Sequence, residues 1–315
     1  MPINSQHIID LALEVGFSDC GIAEADAIDE DEYPLDEWLS RGCQADMHYM
    51  ERNVAMRRDP RLLVDGARSV ISLVLAYKPD CQIESKAKIA QYAYGEDYHE
   101  RLKRMMYQLI AKIKYKYPDF EGRPFVDTAP ISDRHWAVRA GLGWIGRNTL
   151  FVHPYYGSFC FLGEIVTISE IENTKLKIED SGKGCGDCRL CVEACPNNAI
   201  TVSKSGVPML DARRCTSYNT IENRDDALPE ELDTRGYAFG CDICQLVCPY
   251  NGQSPTSYHL DDERKTQLER LAGADEATFR RFAKHSALNR IKYPQWCRNL
   301  RKASEPRGGD RKTET

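Results

Sequence analysis

Along the first half of the chain, the apolar positions switch repeatedly between helical spacing and short apolar runs. Ile8, Ile9, Leu11, Ala12 and Val15 recur at helical spacing, Asn4 or Ser5 can cap the start, and Gly16 can end it, so a helix is predicted over residues 4–16. Residues 17–23 read as a strand. Residues 35–41 and 47–53 read as short helices separated by Gly42, and Pro60 disfavours helix at Asp59. Residues 69–77 are apolar almost throughout, which suits a strand covered on both faces of its sheet, and Pro79 ends it. A second short strand is expected at 89–94. Leu102, Met105, Met106, Leu109, Ile110 and Ile113 form one face of a long helix opening at residues 95–99. Residues 125–128 and 159–168 read as strands, with a helix from Pro130 or Ser132 to Arg139 between them, stopped by Gly141 and Gly143.

This alternation, up to about residue 175, argues an α+β protein whose first domain, residues 1–175, is an α/β unit around a central sheet. Residues 176–260 show little regular periodicity. Residues 256–270 read as a polar linker, and residues 279–300 as a helix broken at Pro294. The organisation expected is thus a cluster domain over 176–260, a basic helical segment over 261–302 and a disordered polar tail over 303–315.

Length and composition narrow the picture. A chain of 315 residues can build two domains with real cores. Its longest apolar run, residues 70–77, is far too short to cross a bilayer. No basic patch followed by an apolar core opens the chain, so no secretory signal is read there, and a soluble cytoplasmic protein is expected. The net charge of −6 argues against a generally basic nucleic-acid binder. The charge is uneven, however. Residues 279–312 hold eleven Lys and Arg against two acidic residues, a local charge of +9, which suits either a polyanionic partner or a solvated helix.

Thirteen cysteines supply the candidate chemistry, and eight of them cluster. Cys185, Cys188, Cys191 and Cys195-Pro196 follow the C-x2-C-x2-C-x3-C-P run of bacterial ferredoxins, and Cys241, Cys244 and Cys248-Pro249 repeat its second part. Zinc knuckles also use C-x2-C pairs but do not need the third cysteine or the C-P endings. Two [4Fe–4S] clusters need eight thiolates. Because the fourth cysteine of each run crosses to the other cluster, Cys185, Cys188, Cys191 and Cys248 would hold one. Cys195, Cys241, Cys244 and, by elimination, Cys215 would hold the other. Such clusters pass single electrons, so a second group must receive them. No dinucleotide or phosphate loop is present, and flavin and corrinoid both remain open on these grounds. The D-x-H-x-x-G pattern of some corrinoid proteins is missing, since Asp97-Tyr98-His99 is followed by Leu102 where glycine would stand.

Several blocks, in order, resemble the epoxyqueuosine reductase family: DPRLL at 59–63, GARSV at 66–70, YGEDYH at 94–99, VDTAP at 126–130, RAGLGWIGRNT at 139–149, GSFCFLGE at 157–164 and both cysteine runs. The resemblance spans about residues 1–300. It implies a cobalamin in the first domain, held base-off and without a protein histidine beneath the cobalt, together with two [4Fe–4S] clusters. It also implies reduction of epoxyqueuosine to queuosine at the wobble position of tRNA. An unidentified low-potential electron donor and a monomeric protein are expected beside it. Some family members carry a helical-repeat extension that would follow Leu300, and this chain is expected to lack it.

The family's acid matches Asp133, for which the plainer role is a helix-start residue favoured by the helix dipole. Asp127 is the next candidate, and Tyr98 and His99 are expected to pack near the cofactor. Arg57, Asp133, Gly141, Gly143, Asn148, Gly157 and Ser158 are the expected cobalamin contacts, although each glycine could equally serve its loop. Within the basic segment Lys284, Arg290, Lys292 and Arg298 are the candidates for tRNA phosphates. Two alternatives carry the same cysteine runs: a corrinoid reductive dehalogenase, and a ferredoxin-type electron carrier.

Overall fold

The computed structural model describes residues 2–172 and 184–305. The expected domain boundary at 175/176 and nearly all of the expected disordered tail lie outside the described residues. The first half of the chain runs α1 (Ser5–Val15), β1 (Asp19–Glu24), α2 (Leu35–Ser40), α3 (Val54–Arg58), β2 (Ser69–Ala76), β3 (Lys88–Ile89), α4 (Tyr98–Lys116), β4 (Gly122–Phe125), α5 (Asp133–Arg139), the short strands β5 (Trp144–Ile145) and β6 (Phe151–Val152), and β7 (Cys160–Thr167).

Four of these strands form an antiparallel sheet in the order β1-β2-β7-β4. Every residue of β2 is buried, and its side chains alternate between two cores. Ile71, Leu73 and Leu75 pack with Ile8 and Ala12 of α1 and Leu102, Met106, Leu109 and Ile113 of α4. Val70 and Val74 face the other way, against Trp136 and Ala137 of α5 and Ala140 just after it. The long apolar run therefore marks a strand covered on both faces, and α5 is pinned to the sheet by its buried Trp136.

The second half adds α6 (Leu190–Ala194), the hairpin β8 (Ile200–Val202) and β9 (Pro208–Leu210), α7 (Thr216–Ile221), β10 (Tyr237–Phe239), α8 (Ile243–Leu246), α9 (Pro249–Gln253), α10 (Asp262–Arg270), α11 (Glu276–Ala283) and α12 (Tyr293–Ala303). The basic C-terminal stretch is not an appendage. Leu268, Phe279, Phe282, Leu288 and Trp296 share one core with Ile89 and Tyr94 of the first half and Phe239 of β10.

Four local expectations change. Of the strand expected at 89–94 only Ile89 pairs, as the end of β3 alongside β10, and Gln91–Ala93 turns as 3-10 helix. Residues 256–270 hold α10, capped by Asp261, rather than a linker. Pro294 sits in the first turn of α12, where its missing N–H costs nothing, instead of breaking a longer helix. The strand expected at 125–128 ends at Phe125, because Asp127 takes a left-handed backbone with φ of 24°. Among the described residues no helix is long and apolar enough to cross a membrane.

Candidate active site and cluster centres

The two cysteine runs each place a short helix, α6 and α8, within a nest of thiols. Cys185, Cys188, Cys191 and Cys248 line one small cavity of about 50 Å³ together with Arg147, Asn148 and Tyr250. The backbone N–H of Arg147 donates to Cys185 Sγ at 3.4 Å, and the Trp144 ring packs edge-on to Tyr250 with centroids 4.7 Å apart.

The remaining four thiols form a second group. Burial, then the neighbouring Cys195, raises the Cys215 thiol. Burial, with Cys215 and Cys195 nearby, pushes Cys241 up to about 12. Cys244 is raised by burial first, then by Cys241 and Cys215, and it also feels Cys191 of the first group, so the two groups adjoin there. A thiol whose burial disfavours the thiolate ionises in the field of a bound cation, which iron would supply. Among the described residues no three Cys, His, Asp or Glu side chains converge tightly enough for a single ion. A cubane binds each thiolate to a separate iron, so its four ligands stand around it without meeting at one point.

A cluster of carboxyls lies at the other end of the glycine block. Asp97 caps α4 by accepting from the His99 N–H at 3.0 Å, and its Oδ1 also holds His99 Nδ1 at 2.7 Å. Tyr98 Oη donates to Asp127 Oδ2 at 2.8 Å, and His99 Nε2 reaches the same oxygen at 3.2 Å. The left-handed turn after β4 is what aims Asp127 at this pair. Burial would raise the Asp127 carboxyl, but the hydrogen bonds from His99 and Tyr98 outweigh it and hold Asp127 below the ordinary range. Burial likewise works against the His99 cation, and the bonds to Asp127 and Asp97 override it, leaving His99 raised.

Asp133 has the opposite fate. It opens α5, and burial pushes its carboxyl up to about 7, with the Asp127 charge adding to the effect and Glu164 and Arg134 opposing it. Two neighbouring carboxyls driven in opposite directions mark a division between an ionised group and an acid. Behind Asp133 stands Glu164 of β7, wholly buried and raised well above the ordinary range by burial and by Asp133. Glu164 has no role in the sequence reading, although a lone glutamate within the apolar run 159–168 is a legible signal of a buried polar group.

Three of the seven expected cobalamin contacts, Asn148, Gly157 and Ser158, meet the cluster region, and Gly141 and Gly143 pack against their own half of the chain. Gly141 ends α5, its N–H bonding Val138 O at 2.9 Å. A Cβ on Gly143 would meet Val152 O at 2.2 Å, so the β5–β6 hairpin closes only on glycine. Gly157 has φ of +67° and a Cβ there would stand 2.1 Å from Asn251 Oδ1. That oxygen accepts from the Ser158 N–H at 2.6 Å, and Asn251 Nδ2 donates to Ser158 Oγ at 2.9 Å. Asn148 donates to Cys244 O at 3.5 Å. Glycine in a sequence marks a close approach without saying what approaches, and here it is protein. Arg57 differs: its Nη2 donates to Tyr49 O at 3.2 Å, while its Nε is buried without an acceptor, as are Trp144 Nε1 and Arg147 Nε.

The exposed Tyr49 stands beside the carboxyl cluster, within reach of the charges of Arg290, Asp127 and Arg57. Arg290 lies 6.0 Å from its ring centroid and forks onto Glu222, both bonds 2.7 Å. Lys284 and Lys292 are exposed. Arg298 is not available to a phosphate. It is 5% exposed, and its guanidinium donates to Asn219 O, Asn223 O, Asp225 O and Asn299 Oδ1. A charge count could not separate this buried clamp from its exposed neighbours.

Comparison with known proteins supplies the family. A profile described as Epoxyqueuosine reductase QueG, DUF1730 matches residues 57–128, and one described as a 4Fe-4S double cluster binding domain matches residues 184–251, which take in all eight clustered cysteines. The epoxyqueuosine reductase of Cyclobacterium marinum is 38% identical, with 94% of this chain and 96% of that protein covered. That of Vibrio cholerae is 38% identical over 92% of this chain and 79% of its own length. Among solved structures, epoxyqueuosine reductase from Streptococcus thermophilus superposes with a TM-score of 0.80 at 30% identity, covering 95% of this chain and 80% of that one. An epoxyqueuosine reductase bound to an epoxyqueuosine-modified tRNA-Tyr stem loop gives 0.77 at 27% identity, covering 95% and 79%. The Bacillus subtilis enzyme, captured with its catalytic aspartate loop swung out of the active site, also gives 0.77 at 27% identity, with 95% and 79% covered. Kinship over nearly the whole length, through both the carboxyl site and the thiol nests, leaves one conclusion: the chain belongs to the epoxyqueuosine reductase family.

Proposed function

We infer that this chain is an oxidoreductase that performs the last step of queuosine synthesis, reducing the epoxide of epoxyqueuosine at the wobble position of tRNA anticodons to the cyclopentene of queuosine. The reaction takes two electrons and two protons and releases the epoxide oxygen as water. Family membership sets aside the organohalide and plain electron-carrier alternatives.

Electrons from a low-potential donor enter through two [4Fe–4S] clusters, one on Cys185, Cys188, Cys191 and Cys248 and the other on Cys195, Cys215, Cys241 and Cys244. Cobalamin, when bound, supplies a reduced cobalt centre able to carry those electrons to an epoxide carbon. The buried, acceptorless donors Arg57 Nε, Trp144 Nε1 and Arg147 Nε suit its rim of amide carbonyls. The buried or half-buried histidines have other partners. His7 pairs with Tyr117 at 3.2 Å, His99 bridges Asp97 and Asp127, His135 bonds Ser132 at 2.6 Å, and His153 bonds Asp19 at 2.9 Å, which fits a cobalamin that would take no histidine of this protein.

Asp133 is the acid that protonates the oxygen as its bond to carbon breaks, and Asp127 stays ionised to orient His99 and Tyr98. The observation that carries this reading is the contrast in bonding of these two neighbouring carboxyls: Asp127 Oδ2 is held by Tyr98 Oη and His99 Nε2, whereas Asp133 Oδ1 is buried toward Glu164 without a donor, in line with the opposite directions of their pKa shifts. An enzyme acting on a wobble base must draw it out of the anticodon stack. Tyr49 offers that base an aromatic face at the edge of the site, and Arg290, Lys292 and Lys284 offer cations to the flanking phosphates. A tRNA substrate places this work in the cytoplasm.

The test is an anaerobic assay with cobalamin-loaded protein, a strong one-electron reductant and a stem loop carrying epoxyqueuosine. Conversion to queuosine is expected with cobalamin and not without it. Cobalt uptake without conversion would overturn the function, and conversion without cobalamin would overturn the cofactor.

A further inference from the structure

We propose that Glu164 is a positioning residue of the acid site: a second carboxyl, sealed behind Asp133, that stores a proton and passes it forward once Asp133 has given up its own. The proposal rests on the reduction inferred above.

Glu164 occupies the middle of the sheet. It lies on β7 directly across from Ser72 of β2 and Phe125 of β4, and it is wholly buried. An apolar residue would pack there without cost, whereas a carboxyl must give up its water. Nor is that loss repaid by ordinary bonding. Both carboxylate oxygens of Glu164, Oδ1 of Asp133 and Oγ of Ser72 are shut off from solvent, and none has a hydrogen bond of full geometry. Glu164 instead faces Asp133 and Ser72, and two buried carboxyls can bond to each other only by sharing a proton.

Asp133 is partly exposed while its Oδ1 points inward, so it stands between solvent and Glu164. Glu164 cannot touch an RNA base and can act only through Asp133. The groups facing it are Asp133 from α5, Ser72 from β2 and Asp127 from the turn after β4; the nearby Arg134 acts on Asp133. With two carboxyls and a hydroxyl around it and no cation, Glu164 keeps its proton, in line with its raised pKa.

The chemistry needs what this pair holds. Converting an epoxide to an alkene breaks both C–O bonds. Two electrons arrive from the reductant through the clusters, and the oxygen leaves as water with two protons. Asp133 gives one proton to the oxygen when the first bond breaks. Glu164 then moves its proton to the Asp133 carboxylate, which delivers it when the second bond breaks, and solvent later refills the pair.

Glu164→Gln keeps the volume and a hydrogen-bond donor and removes the transferable proton. Burial and the Asp127 charge raise Asp133, so without its reserve Asp133 is expected to be mostly protonated in mild acid and mostly ionised in mild base. Single-turnover loss of epoxyqueuosine by the holoenzyme should therefore fall less than about threefold at pH 6 and about tenfold at pH 8. Glu164→Asp should recover most of the rate at pH 8. An equal loss at both pH values, or no loss at either, overturns the proposal, because a purely structural glutamate would not change the pH profile.

Infrared spectra give an answer that does not depend on turnover or on how Glu164→Gln folds. At pH 9 the wild-type protein and Asp133→Asn should both show a protonated-carboxyl stretch, and its absence overturns the proposal. If the wild-type enzyme does not convert epoxyqueuosine at all, the functional reading fails, while the spectrum still judges Glu164.

Discussion

Replacing Asp133 by asparagine should produce two opposite changes from one buried carboxyl. The side chain keeps its size and stays at the start of α5, so the fold, the clusters and stem-loop binding should survive. Turnover should not. A positioned acid contributes about 10²–10⁴ in rate, or roughly 3–5 kcal/mol of barrier. Stability should move the other way. The folded protein raises this carboxyl from its ordinary 3.8 to about 7. A raised carboxyl contributes most to stability below 3.8, and that contribution is lost as the pH climbs through 7, because the unfolded chain ionises first. At 1.36 kcal/mol per unit, ionised Asp133 weighs on the fold by up to about 4 kcal/mol above pH 7. Asp133→Asn should thus match the wild type in denaturant unfolding at pH 3.5, gain between pH 4 and 7, and be more stable at pH 8. The assays are single-turnover conversion on a stem loop and unfolding midpoints across that range. Turnover within about threefold of wild type would refute the acid assignment, and lower stability at pH 8 would refute the burial argument behind it.

Other consequences are as direct. Cys215→Ser should halve the iron bound and leave one cluster spectrum, and two intact clusters would break the ligand partition. Arg298→Ala should cost about 3–5 kcal/mol of stability, read by unfolding, because it empties a buried guanidinium site bonded to four neighbours. Neutralising Lys284, Arg290 and Lys292 together should weaken tRNA binding and reduce the slope of log affinity against log salt by about 2, while stability stays near wild type. An unchanged slope would return these cations to ordinary surface roles.

The sequence revealed most where chemistry fixes spacing. The C-x2-C-x2-C-x3-C-P run needs no tertiary knowledge, and the apolar run of β2 declares a strand buried on both faces. It revealed least where a residue's meaning depends on what packs against it. Gly143 and Gly157 look alike as loop glycines, yet one admits Val152 O and the other the Asn251 side chain. Arg298 and Arg290 look alike as cations, yet one is locked among Asn219, Asn223 and Asp225 and the other faces Tyr49. The division of labour between Asp127 and Asp133 rests on a left-handed turn that no local pattern encodes and on the fully buried Glu164, which the apolar run 159–168 signals as a buried polar group without saying what it faces. The polar stretch before Arg270 hid a helix because Leu268, with Leu271 just beyond it, is what anchors α10 to a core made of distant segments.

The most direct measurement is made on tRNA itself. Cells lacking their own epoxyqueuosine reductase accumulate epoxyqueuosine, and their tRNA can be digested and its nucleosides weighed. Supplying this chain, with cobalamin in the medium, should replace epoxyqueuosine by queuosine, a loss of one oxygen per nucleoside, and the Asp133→Asn chain should not. Epoxyqueuosine that persists in the presence of stable, cluster-loaded wild-type protein would contradict the account.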